Sequence, residues 1–341
     1  MKFGDFFKKP EKKDPLQEAE EFKNVGRFDK ALEGYRNVLA ADPSNLKAWY
    51  DKASIHLTLE QYDPALEAYE KILKLDPNNK KAWHEKGFIL VNLGRLKEAL
   101  EAYDKVLEAE PGNLKLLSDK AMILKELKRN VEVLKIYEKL LENDPKNIKI
   151  WFEKGSMLSD LGKETDALIA YDKVLELDPG HSGAMARKGL NIGVRRQFSE
   201  SFALLDKALQ KDPSNWFALY GKGLVWKLKG TDLKSLDRRY DAVKSFDNAL
   251  QAFEKATTLH SNNAKLWFEK GLLLKDIERG NEAIRAFNKC LELDPMNVKA
   301  WYEKGVTLKE LNMEKEATRC FERVLELEPT HTLARHKLKQ M

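Results

Sequence analysis

Cysteine is scarce in this 341-residue chain, with only two, and neither glycine, at 18, nor proline, at 11, is abundant. Cys290 and Cys320 make one pair at most, so no disulfide framework holds the fold; two packing thiols in a reducing compartment are the expectation. No apolar run approaches the roughly 18 residues that a spanning helix needs, and no export-type apolar stretch follows Met1. The sequence therefore reads as cytoplasmic. Phosphate loops and nucleophile elbows require glycines at fixed offsets, and neither pattern occurs. Of the six histidines only His331 and His336 lie close together, without the flanking Cys or acid of a zinc site. These gaps leave no catalytic constellation, and the expectation is a non-enzyme without metal or cofactor.

What is plentiful is charge and repetition. Lys, Arg, Asp and Glu make up 34% of the residues, and apolar types 43%, a balance that suits an extended helical array. Pro43, Pro77, Pro111, Pro145, Pro179 and Pro213 recur every 34 residues, each after an acidic residue and before small polar ones, as in DPSN, DPNN and EPGN. Proline cannot continue the preceding helix, so each marks a turn. Between the turns, segments such as KAWHEKGFILVNLGRLKEALEAYDKVLEAEP (81–111) read as two amphipathic helices joined by a short turn. Trp49, Trp83, Trp151, Trp267 and Trp301 open the first helix; Gly or Ala follows four residues later, as Ala53, Gly87, Gly155, Gly223, Gly271 and Gly305; A-x3-Y/F pairs such as Ala99 and Tyr103 mark the second.

This pattern resembles the tetratricopeptide repeat family, over residues 12 to 341. The resemblance implies an all-α, right-handed superhelical solenoid of helix-turn-helix repeats whose stacking makes one continuous core. Nine repeats are expected, at 12–45, 46–79, 80–113, 114–147, 148–181, 182–215, 216–263, 264–297 and 298–331, after a tail or cap at 1–11 and before a truncated capping helix at 332–341. Gly or Ala lets paired helices approach, and the Trp, Tyr and Phe rows are expected in the core around that contact.

The interval breaks once, after Pro213, where fourteen extra residues lie near 231–246. Gly230 is expected to end the first helix of repeat seven, as Gly26, Gly94 and Gly162 end theirs, with Thr231 or Asp232 capping the next helix. Fourteen residues nearly preserve helical phase, so an extended or added second helix is expected, with Leu233, Leu236, Tyr240, Val243 and Leu250 as an apolar stripe that meets a neighbouring repeat or a partner.

Family resemblance places partner binding on the concave face made by the first helices. The fifth and ninth repeat positions supply Tyr50, His84, Phe88, Met122, Phe152, Tyr220, Leu224, Phe268, Leu272 and Tyr302; the second supplies Lys47, Lys81, Lys115, Lys149, Lys265 and Lys299. Such a groove suits a protein or peptide partner with apolar anchors and, optionally, acidic residues. Family members that grip acidic chaperone tails use Lys and Asn at the fifth and ninth positions of one repeat; no repeat here has that pair, and the sixth position is mostly acidic, so the clamp is absent. Repeats six and seven each carry a net charge of +3, and Arg195, Arg196, Arg238 and Arg239 form a candidate basic patch. Base-reading residues and a long basic stripe are lacking, so nucleic acid is not expected. Phe3, Phe6 and Phe7, set among the lysines that precede Asp14, suit a cap, a tail or a weak membrane contact. The expected function is a protein-interaction scaffold, with self-assembly through the ends or edges as the alternative.

Overall fold

The computed structural model describes residues 14–341, so the Phe-rich N-terminal segment lies outside the described residues. Every regular element among them is an α-helix, and the described residues form a helical repeat solenoid divided into two compact units, 14–143 and 144–341. The first unit contains α1 (Pro15–Asn24), α2 (Phe28–Ala41), α3 (Leu46–Thr58), α4 (Tyr62–Leu75), α5 (Lys80–Asn92), α6 (Leu96–Ala109), α7 (Leu114–Glu126) and α8 (Asn130–Asn143). The second contains α9 (Ile148–Asp160), α10 (Glu164–Leu177), α11 (Ser182–Val194), α12 (Phe198–Lys211), α13 (Trp216–Ser235), α14 (Arg239–Leu259), α15 (Ala264–Asp276), α16 (Gly280–Leu293), α17 (Val298–Glu310), α18 (Glu314–Leu327) and α19 (Thr332–Lys339). Odd-numbered helices are first helices of a pair, called A helices below; even-numbered ones are B helices.

Each DPxN turn is a small hydrogen-bonded device. Asp42 accepts from the backbone N–H and hydroxyl of Ser44, at 3.0 and 2.6 Å, which holds its carboxyl below the usual range. Asn45 then caps α3, its side-chain oxygen accepting from Ala48 N–H at 3.0 Å. Asn79, Asn147 and Asn297 cap α5, α9 and α17 in the same way. His181 and His331 do this work with Nδ1, accepting from Ala184 at 3.1 Å and Ala334 at 3.2 Å, which explains two histidines left unassigned by the motif.

Tryptophan behaves differently from the expectation that it fills the core. Trp49, Trp83, Trp151 and Trp301 are only half-buried, and each indole N–H donates to the carbonyl of the preceding turn proline at 2.8–3.0 Å. Where repeat seven ends without proline, Trp267 finds the Ser261 carbonyl at 2.7 Å. The indole N–H needs an acceptor, and the turn supplies one. The core is made by the B-helix aromatics: Tyr35, Tyr171, Phe253, Phe287 and Phe321 are fully buried. A Cβ on Gly223 would lie 2.7 Å from the Phe253 ring, so glycine there permits the helix crossing. Ser201, where most repeats carry Ala, is accommodated by donating to the Gly189 carbonyl at 2.6 Å.

Repeat seven corrects an expectation. Gly230 does not end α13; it is buried within that helix, and a Cβ on it would lie 2.6 Å from Phe246. The A helix α3 has 13 residues and the B helix α4 has 14, as most of their kind do, whereas α13 has 20 and α14 has 21. The left-handed residue of the A-to-B turn records the same division. It falls at Gly26, Glu60, Gly94, Lys128, Gly162 and Arg196 at the constant repeat interval. The interval then lengthens equally on the way to Asp237 and on to Glu278, and returns to its usual value at Asn312. Each helix has gained about two turns, and the Gly–Phe crossing contact is repeated two turns outward. The expected stripe splits: Leu233 and Leu250 are buried, while Leu236, Tyr240 and Val243 are exposed, Tyr240 by 83%.

Candidate functional site

The A helices of each unit present the side chains at repeat positions 2, 5, 6, 9 and 12 on a common face. In the first unit, Lys23 of α1 reaches Asp51 of α3 at 2.5 Å, and Lys47 of α3 returns to Glu20 of α1. Tyr50 donates its hydroxyl to Asn79, the cap of α5, at 2.5 Å, and Lys81 sits 5.1 Å from the Tyr50 ring centre. Half-buried His84 lies beside Tyr103, with ring centres 6.1 Å apart. Phe88 and Met122 differ from these tied residues. They are 46% and 70% exposed on α5 and α7, three residues beyond Glu85 and Asp119.

In the second unit the corresponding positions are more closed. Phe152 packs on His181, ring centres 4.9 Å apart, with the Arg187 guanidinium 5.8 Å from its centre. Tyr220, expected to line a groove, is 4% exposed and packs between Phe217 and Phe253. Burial, then Glu269, raises its hydroxyl pKa well above the ordinary value. Leu224, Phe268 and Leu272 are half-buried around the same cluster, and Tyr302 around that of Phe321. Lysines at position 12 cross to acids at position 6 of the next A helix: Lys227 lies 3.8 Å from Glu269, and Lys275 contacts Glu303.

All six position-2 lysines are exposed. Lys47 and, in the second unit, Lys265 are also engaged, the latter 5.4 Å from the Tyr220 ring centre, whereas Lys115, Lys149 and Lys299 hold no carboxylate among the described residues. The candidate basic patch is largely matched by carboxylates: Arg196 pairs with Asp232 at 2.9 Å, Arg238 with Asp241 at 2.6 Å and Arg239 with Asp237 at 2.9 Å, while Arg195 reaches the Thr165 hydroxyl at 3.4 Å. Beside this hairpin, a notch of about 390 Å³ is lined by Val243, Phe246 and Ile277, with Lys234 and Arg279 at its edge. The position-12 lysines and the Asn caps escaped the motif reading; a 28-residue spacing from Lys to acid, as Lys23 to Asp51 and Lys275 to Glu303, was the signal for the lysines.

Comparison with known families agrees with the helical repeat fold. One tetratricopeptide repeat model matches residues 16–80 and another matches 148–181, 264–297 and 298–331. A model described as the N-terminal TPR repeats region of Psidin matches 54–153. The chain belongs to the tetratricopeptide repeat family. A tetratricopeptide repeat protein from Parabacteroides merdae is similar in structure, with a TM-score of 0.59 and 19% identity over 76% of this chain and 97% of that one. The human IFIT1 dimer with m7Gppp-AAAA is similar with a TM-score of 0.57 and 17% identity, over 96% of this chain and 79% of that one. At these identities the likeness concerns the fold. No curated protein sequence matches the chain. Tetratricopeptide repeats serve in general as protein-interaction scaffolds, and no described helix is long and apolar enough to cross a membrane.

Proposed function

We propose that this tetratricopeptide repeat protein is a non-catalytic scaffold that takes peptide or helical segments of partner proteins on its A-helix face. The observation that supports this reading is the exposure of Phe88 and Met122 on a face whose neighbouring rings are packed or hydrogen-bonded. Large apolar side chains left in water on successive A helices are suited to receiving apolar anchors of a partner. Affinity capture with the wild type against a Phe88→Ala/Met122→Ala variant tests this: the variant is expected to lose the recovered partners, and equal recovery rejects the face.

Self-assembly through an edge is the second reading, favoured by the exposed Leu236, Tyr240 and Val243 of the long hairpin. Light scattering over a concentration series separates the two. A mass that rises with concentration in the wild type and stays monomeric in Tyr240→Glu supports self-assembly; a constant monomer mass in both rejects it.

A further inference from the structure

The lysine-to-acid pairs that tie successive A helices are broken at two adjacent places. Lys23–Asp51, Lys227–Glu269 and Lys275–Glu303 each join position 12 of one repeat to position 6 of the next. At Leu57 and Val91 the lysine is replaced by an apolar residue, yet the acids that it would meet, Glu85 and Asp119, remain. Elsewhere both members change together: Ser159 precedes Arg187, and Gly193 precedes Gly221. Only α5 and α7 keep the acid half alone.

Both carboxylates are half-buried. Glu85 has the His84 ring at 3.7 Å, and Asp119 has no ion-pair partner among the described residues. Lys115, one turn before Asp119, is exposed and lies beyond ion-pair distance of it, while Lys81 is occupied by the Tyr50 ring. The Tyr103 hydroxyl pKa is pushed up to about 12, by burial first, then by Asp119 and Glu85, so both acids bear on one region of the face. A half-buried carboxylate without a cation is poorly compensated. Beside each acid, three residues on and therefore adjacent on the helix surface, stands an exposed apolar side chain, Phe88 or Met122.

We infer that the α5–α7 stretch takes a basic partner segment, which sets Lys or Arg against Glu85 and Asp119 and apolar side chains on Phe88 and Met122. The inference rests on the scaffold reading and gives it a partner chemistry: the guest cations complete the pairs that Leu57 and Val91 leave open. Methionine at position 122 suits such a guest because its unbranched side chain adapts to different anchors.

Fluorescence anisotropy with the full chain tests the inference, using a labelled 12-residue peptide of alternating Lys and Leu and the same peptide with Glu for Lys. The Lys peptide is expected to bind about tenfold or more tighter than the Glu peptide, with an affinity that falls as salt rises. Glu85→Gln/Asp119→Asn should weaken it about tenfold. Leu57→Lys/Val91→Lys, which supplies the missing cations from within, should do the same, and thermal melts should show both variants folded. Equal or tighter binding of the Glu peptide overturns the inference, as does indifference of the Lys peptide to both double variants. If the Glu peptide binds and is lost in Phe88→Ala/Met122→Ala, the scaffold reading stands and the charge inference falls. If neither peptide binds, both fall.

Discussion

The A-helix faces of the two units are built from one repeat template and end in opposite conditions. Across α13, α15 and α17, lysines at position 12 satisfy the acids of the next helix, and Leu224, Phe268 and Leu272 are drawn half into the core. Where α3 meets α5 and α5 meets α7, Leu57 and Val91 stand in place of the lysines, the acids stay, and Phe88 and Met122 stand in water. One lysine is lost per repeat, at Leu57 and Val91, and the helix-crossing contacts that build the solenoid lie elsewhere, around the B-helix aromatics. The core contacts and the exposed apolar side chains thus occupy different positions of the same repeat.

The sharpest way to break this contrast is to truncate one apolar ring from each condition. Phe253→Ala, which empties a fully buried site against Gly223, should lower the unfolding free energy by about 3–5 kcal/mol, whereas Phe88→Ala should change it by no more than about 0.5 kcal/mol. Urea denaturation measures both, and comparable losses would mean that the open face is part of the core. A smaller effect separates the charges. Lys275→Leu makes the second unit imitate Leu57 and leaves Glu303 without its cation, at an expected cost of about 1 kcal/mol; Glu85→Gln should cost nothing measurable, since no lysine pair is lost there. The reverse order of these two would show that Glu85 is already satisfied in the folded chain.

A pH dependence concerns the second unit alone. Burial, with Asp294 nearby, pushes the Cys290 thiol from 9.0 up to about 11, and burial also raises that of Cys320. A raised folded value means that the neutral thiol is favoured in the native state, so this contribution to stability is complete below the ordinary thiol value and is lost as pH rises from about 9 towards 11. Denaturation midpoints across that range should fall, less so in a Cys290→Ala variant, and native-state reaction with a thiol reagent at pH 8 should be slow. Rapid labelling of both thiols at pH 8 would contradict their burial.

Several of these features were legible in the amino-acid order alone. The proline interval, the Gly or Ala of the A helix and the aromatic of the B helix announced paired helices and their crossing, since a close approach needs a small residue wherever the chain places it. Tryptophan misled as a core residue because size alone does not reveal that its N–H will be spent on a turn carbonyl. Tyr220 shares its repeat position with Tyr50, yet lies buried between Phe217 and Phe253 where Tyr50 reaches across to Asn79. A position in a repeat specifies a direction from the helix; the neighbours decide how much water remains there.

Repeat seven marks the boundary between the two kinds of information. Its fourteen additional residues determined, by composition and period, that the helices would grow without losing their apolar phase, since seven residues are close to two turns and fourteen close to four. Periodicity alone could not distribute them, because fourteen in one helix and seven in each keep the phase almost equally well. Packing decided: Gly230 lets Phe246 approach to contact, that contact stabilises helix beyond the usual turn, and the reversal moves out to Asp237, leaving Leu236, Tyr240 and Val243 beyond the reach of the core.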